Sequence, residues 1–179
     1  MNRKQTVLIA VIGILAYGGH KFYWLITPHR GDAFEIKEIT GDSFKIRITA
    51  YSEKGVWLPG AYYVFESSPV SSNEWREFMT VRADDPNQIL HDAARIINEQ
   101  AGYAYMLNMY AVTTDGGRTW SVWDTSTELK NRQDIFSRAI GEVDVTADGT
   151  GRMKLYKFSH EPSTTYLKTK DYGRHWSVE

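Results

Sequence analysis

The chain has 179 residues, 42% of them hydrophobic and 13% aromatic, which suits one aromatic-rich domain plus an anchor. It has no cysteine, which excludes a disulfide framework, a thiolate metal site and a cysteine nucleophile. The net charge is −1, but three of the 21 basic residues lie in the first 27 and all 22 acidic residues follow residue 31, so the remainder stands at −4, the wrong balance for a nucleic-acid surface.

Residues 1–5 are a short basic leader carrying Arg3 and Lys4. The apolar segment after it fits two readings. Val7 to Ala16 can be the apolar region of a signal peptide, with Ala16-x-Gly18 as its small-residue cleavage site. Alternatively, residues 6–27 form one signal-anchor helix. Its 22 residues span roughly 33 Å at ~1.5 Å per residue, enough for a hydrocarbon core of ~30 Å. In that second, favoured reading His20 and Lys21 snorkel toward the far interface, and Phe22, Tyr23 and Trp24 form an interfacial aromatic belt. Arg3 and Lys4 then keep the N-terminus in the cytoplasm of a bacterial inner-membrane protein and place residues 34–179 in the periplasm, after a linker at 28–33. The lipid bilayer is thus one expected partner.

Beyond the linker, Phe34 to Ile39 and Phe44 to Ala50 alternate apolar and polar residues about a Thr40-Gly41-Asp42-Ser43 turn, which predicts a hairpin. Ala61 to Glu66 is more continuously apolar and reads as a central strand, and Glu77 to Val81 is the arm into which a hairpin anchored by Trp75 would run. Asp85 and Pro86 look like the start of a helix running to Gln100, with Ile89, Leu90, Ala93, Ala94, Ile96 and Ile97 on its apolar face. His91–Arg95 and Arg95–Glu99 would be its i,i+4 pairs.

Tyr105 to Val112 is strand-like by its aromatic content. It runs into Thr113-Thr114-Asp115-Gly116-Gly117-Arg118-Thr119-Trp120, and Ser121-Val122-Trp123 begins the return strand. Residues 124–138 read equally as a short helix or the start of a strand. Glu142 to Val145 and Met153 to Phe158 flank a turn at 147–151, and Glu142 and Asp144 share one face by the period of two, as acidic residues on a solvated face do. Thr164 to Lys168 leads into Thr169-Lys170-Asp171-Tyr172-Gly173-Arg174-His175-Trp176 near the end of the chain.

Both eight-residue stretches read Thr-x-Asp-x-Gly-Arg-x-Trp and continue Ser-Val. The physical roles are legible. Asp115 and Asp171 are short acceptors for nearby backbone N–H groups, and Gly117 and Gly173 supply a positive φ. Thr113, Thr119 and Thr169 bring hydroxyls to the turn mouth, and Trp120 and Trp176 anchor the turn to a sheet.

The pattern resembles the Asp-box, or BNR repeat, of sialidases and other β-proteins, in which it is a structural hairpin turn. Ser68 to Trp75 has Ser and Trp at the same spacing, with Val70 and Ser72 where the Asp and Gly would stand. It reads as a decayed third copy or as an ordinary Ser/Pro-rich loop. The starts at 68, 113 and 169 are spaced like propeller blades. Three blades fall below the usual four. The expected fold is therefore mainly β with one helix: propeller-blade-like antiparallel hairpins in an open sheet or small sandwich, plus one N-terminal transmembrane helix.

The resemblance carries no catalytic residue, cofactor or metal ligand to this chain, because the arginine cluster, Tyr/Glu pair and acid of sialidases have no counterparts assignable here. Photosystem II assembly factors, which the chain resembles in this motif, dock on a membrane partner. The expectation is thus a non-enzymatic, membrane-anchored accessory or assembly subunit of an integral membrane protein complex, with aromatic residues such as Trp57 and Trp123 available for contacts. The alternative is an envelope binding module, either glycan-binding or a toxin-neutralising immunity protein.

Overall fold

Alternating side chains make these strands, and the alternation decides which sheet faces which. The computed structural model describes residues 29–54, 60–85, 88–125, 138–157 and 164–179. Within them lie three antiparallel four-stranded sheets, built one after another along the chain. The first contains β1 (His29–Thr40), β2 (Phe44–Lys54), β3 (Ala61–Pro69) and β4 (Arg76–Ala83). The second contains β5 (Ala94–Ile96), β6 (Gly102–Met106), β7 (Met109–Thr113) and β8 (Ser121–Asp124). The third contains β9 (Arg138–Val145), β10 (Gly151–Lys157), β11 (Thr164–Thr169) and β12 (Ser177–Val178).

The second sheet lies between the other two. On β6 and β7, Ala104, Met106 and Ala111 join Phe44, Ile46, Ile48, Tyr63, Phe65 and Met79 of the first sheet in one core. The intervening Tyr103, Tyr105, Tyr110 and Val112 join Val143, Val145, Met153, Leu155 and Leu167 of the third sheet in another. Alanines oppose the first sheet's large aromatics, and tyrosines oppose the third sheet's aliphatics, so large meets small at both faces. The tyrosine hydroxyls are paired: Tyr103 donates to the Val143 carbonyl at 2.8 Å and Tyr105 to Asp92 at 2.6 Å. The mainly β fold of antiparallel hairpins expected from the sequence thus stands, as three four-stranded sheets of which the second is packed on both faces.

The expected helix from residue 86 to 100 is corrected. Residues 88–100 hold no helix, and Ala94–Ile96 is the edge strand β5, paired with β6. The apolar residues that suggest a helical face divide between the cores, Ile89, Ala93 and Ala94 going to the first and Ile97 to the second. Asn98 then turns the chain, its side-chain oxygen accepting from the N–H groups of Gln100 and Ala101 at 2.9 and 2.7 Å. Arg95 pairs with Asp144 at 3.0 Å rather than with helix neighbours.

Two further boundaries move. The run from Tyr105 to Val112 is a hairpin, not one strand: Met106 pairs with Met109, and Leu107, at φ 54°, makes the tight turn. The expected linker is strand from His29 onward, because the long β2 offers pairing as far as Lys54.

Among the described residues no helix is long and apolar enough to cross a membrane. The expected anchor with Phe22, Tyr23 and Trp24 lies outside those residues, as do Trp57 and residues 126–137.

Candidate functional site

Both Thr-x-Asp-x-Gly-Arg-x-Trp stretches connect the third and fourth strands of their sheets, β7 to β8 and β11 to β12. In the first, Asp115 Oδ1 accepts from the N–H groups of Arg118 and Thr119, both at 3.0 Å, and from the Thr113 hydroxyl at 2.9 Å. Asp115 Oδ2 accepts from the Thr119 hydroxyl at 2.6 Å. The nearby backbone N–H groups expected for this short acceptor are thus those three and four residues on. Thr113 Oγ1 in turn accepts from the Gly117 N–H at 3.1 Å. Gly116 and Gly117 both take positive φ, +74° and +76°.

The second turn repeats this network. Thr169 Oγ1 donates to Asp171 at 2.8 Å and accepts from the Gly173 N–H at 3.0 Å. His175 replaces Thr119, with its Nδ1 2.5 Å from Asp171 Oδ2 and its backbone N–H 3.0 Å from Oδ1. Tyr172 replaces Gly116 at φ 62°, a conformation that disfavours a bulky residue. Its position is held by a bond from its hydroxyl to the Ala147 carbonyl at 2.9 Å and from its N–H to the Gly149 carbonyl at 2.8 Å. Burial pushes both aspartates up, and the bonds from Thr119, Thr113 and Arg118 in one case, and from His175 and Thr169 in the other, outweigh it and hold both carboxyls below their ordinary range.

Each tryptophan reaches the preceding sheet, and Trp176 also lies against its own turn, its Cζ2 3.0 Å from where a Gly173 Cβ would stand. Trp120 stacks on Phe78, packs edge-on to Phe44 at 6.4 Å and donates its indole N–H to Ser67 at 3.0 Å. Ser67 also donates to the Gly117 carbonyl at 3.1 Å. Trp176 packs edge-on to Tyr110 at 5.6 Å and lies 6.5 Å from Trp123, both on the second sheet. The glycines make this approach feasible: a Cβ at Gly117 would meet the Phe44 ring at 2.8 Å, and one at Gly173 the Tyr110 hydroxyl at 2.3 Å.

Ser68 to Trp75 spans the β3–β4 connection, the equivalent place in the first sheet. It has no carboxylate at its centre. Ser68 donates instead to the Ser72 carbonyl at 3.1 Å. The Trp75 ring lies over Arg47 at 4.3 Å and Lys45 at 5.2 Å. Those cations alternate along β2 with the buried Phe44, Ile46 and Ile48, so Trp75 occupies the face turned away from the second sheet. Trp75 thus takes the place that Trp120 and Trp176 take on their sheets, but without an aromatic neighbour from a preceding sheet among the described residues. Phe34 and Ile36, 49% and 61% exposed, stand on β1 of the same sheet.

Other polar groups are engaged in structure. Glu53, its side chain wholly buried, accepts from Arg82 Nε at 2.7 Å and from the Gly60 N–H at 3.2 Å. The Arg82 bonds hold its carboxyl below the ordinary range against the effect of burial. Glu142 and Asp144 do share an exposed face, with Arg152, Lys154 and Tyr166 around a shallow hollow of about 270 Å³. His91 is exposed. Among the described residues no three His, Asp or Glu side chains group as a metal site.

Sequence reasoning missed the seam between the second and third sheets. A cleft of about 350 Å³ opens there, lined by Ser121, Val122 and Trp123 of β8, Leu167 of β11, and Arg174, His175 and Trp176 of the second turn. The indole N–H groups of Trp123 and Trp176 are buried and reach no acceptor among the described residues. No family model, curated protein or solved structure matches the chain.

Proposed function

We propose that this protein is a non-enzymatic, membrane-anchored accessory or assembly subunit, whose β domain docks on an integral membrane protein complex in the bacterial inner membrane. The observation that carries the reading is the outer face of the first sheet. There Trp75 stands in the position from which the other two turn tryptophans grip a preceding sheet. Phe34 and Ile36 are exposed on the strand that directly follows the apolar N-terminal segment. Ile36 pairs with Thr49 and so shares the outer face with Arg47 and Trp75; exposed large apolar side chains mark interaction surfaces, and a segment anchored by residues 6–27 would hold this sheet close to the bilayer and its proteins. In this reading the two Thr-x-Asp-x-Gly-Arg-x-Trp turns are Asp-boxes with a purely structural role, stapling each sheet to the one before it.

The test is gentle detergent extraction of the tagged native protein, followed by mass spectrometry of the intact protein and the chains recovered with it. An uncleaved N-terminus together with a stoichiometric membrane complex is the expected result. A chain starting at Gly19, soluble and alone, overturns the reading. It would favour the second one, an envelope binding module, which the Trp123–Trp176 cleft supports independently.

A further inference from the structure

The contact between neighbouring sheets is built from a fixed set of positions, and the third sheet presents the same positions on its outer face. On each sheet, the face turned toward the next one is lined at three places: three residues before the sheet's own turn stretch, directly before it, and three residues after its tryptophan. In the first sheet these are Phe65, Ser67 and Phe78, and in the second Tyr110, Val112 and Trp123. Trp120 stacks on Phe78 and donates to Ser67, while Trp176 packs on Tyr110 beside Trp123. In the third sheet the same places hold Tyr166, Lys168 and Glu179. Leu155 and Leu167 point to the second sheet, so Lys154 and Tyr166, which alternate with their neighbours along β10 and β11, point outward. There Tyr166 lines the hollow of about 270 Å³ with Glu142, Asp144, Arg152 and Lys154. At the other end of the molecule stands Trp75, half-buried, with Arg47 and Lys45 at its ring. Those cations are opposite in sign to Glu142 and Asp144. Both faces also carry ion pairs, Arg47 with Glu66 on one and Arg152 with Glu179 on the other. Mixed polar and aromatic faces of this kind suit association between copies that are already folded.

We infer that two copies of this chain associate head to tail, the outer face of the third sheet of one taking Trp75 of the other. The chain carries the entering tryptophan at one end and the face that takes it at the other, as a head-to-tail contact requires. Three sheets fall below the usual four of a ring of such sheets, and two copies bring six. In the contact Trp75 lies against Tyr166, and Arg47 and Lys45 meet Glu142 and Asp144. Ser72, three residues before Trp75, comes beside Lys168, as Gly117 comes beside Ser67 within the chain. The second copy and the membrane complex of the docking reading are alternative occupants of the Trp75 face, and the association does not rest on that reading.

The chain has no cysteine of its own, so disulfide cross-linking reads the contact selectively. Ser72→Cys and Lys168→Cys are introduced into separate full-length proteins, which are purified in detergent micelles and oxidised singly and as a mixture. The mixture should form a cross-linked dimer at least tenfold faster than either variant alone, because a head-to-tail contact brings position 72 to position 168 and neither to its own copy. Sedimentation of the parent should show a dimer. Trp75→Ala in the Ser72→Cys chain should slow the cross-link at least tenfold. Glu142→Lys, an exposed change, should slow it at least threefold in the Lys168→Cys chain. A cooperative urea transition in each variant shows that it is folded. Cross-linking of either variant alone as fast as the mixture, a parent that sediments as a monomer at every concentration, or a rate that neither substitution alters overturns the inference. The experiment uses the purified protein, so its failure leaves the docking reading standing, and failure to recover a membrane complex leaves this inference standing.

Discussion

Trp120 lies flat on Phe78, with ring centroids 3.9 Å apart and planes 4° from parallel, and so joins the second sheet to the first. Trp75 has the matching place on the first sheet but is half-buried and packs over Arg47 and Lys45 on the outer face. Trp120 is half-buried against the first core, so Trp120→Ala should lower stability by about 2–4 kcal/mol, somewhat less than truncation of a fully buried aromatic. Trp75→Ala should cost no more than about 1 kcal/mol and yet reduce recovery of the membrane partner. Urea titration and partner recovery on the same samples check both. Equal destabilisation by the two variants would refute the distinction.

The Asp-centred turns make an acid-pH prediction. Asp115 and Asp171 have folded pKa values below their unfolded ones, because hydrogen bonds to the carboxylates outweigh burial. Their contribution to stability is present above the unfolded value of about 3.9 and disappears as pH falls through the lower folded value. The urea midpoint of the parent should fall between about pH 4 and about pH 2, and that of an Asp115→Asn, Asp171→Asn variant less steeply. At neutral pH, Asp115→Ala should cost about 1–2 kcal/mol, since it strips acceptors from two backbone N–H groups and two hydroxyls.

In the second turn an imidazole takes the part of a hydroxyl. Thr119 Oγ1 lies 2.6 Å from Asp115 Oδ2, and His175 Nδ1 lies 2.5 Å from Asp171 Oδ2. His175→Thr should then change stability at neutral pH by no more than about 0.5 kcal/mol, whereas His175→Val, with no donor, should lose more. Thermal unfolding of the three proteins side by side decides it.

Gly117 and Gly173 combine positive φ with close neighbours. Gly173→Ala should destabilise by about 1–3 kcal/mol, and it should disturb the second core, because the added methyl meets the Tyr110 hydroxyl. Gly117→Ala should act on the first core through Phe44. Near-ultraviolet circular dichroism of each variant reads the aromatic rearrangement, and an unaltered spectrum in both would contradict the stapling role.

The strands that alternate cleanly were legible in the sequence: Phe34 to Ile39, Phe44 to Ala50 and the hairpin about residues 147–151 stand as strands in the structure. So was the turn chemistry of Asp115 and Gly117, because the interactions are local. What was hidden depends on distant parts of the chain. Ile89, Ala93, Ala94 and Ile97 are spaced like a helical face, but two cores claim them separately. The Leu107 turn is masked by a continuous apolar run. The cleft needs β8 and the second turn side by side, a contact between sheets that no local pattern announces.

The most direct test of docking through the first sheet is site-specific photocrosslinking in native membranes. A benzophenone amino acid replaces Ile36 in one strain and Tyr156, exposed on the third sheet, in another. Adducts from position 36 to one defined integral membrane protein, with few or none from position 156, are the predicted result. No membrane-protein adduct from position 36, or equal adducts from both positions, would contradict the account.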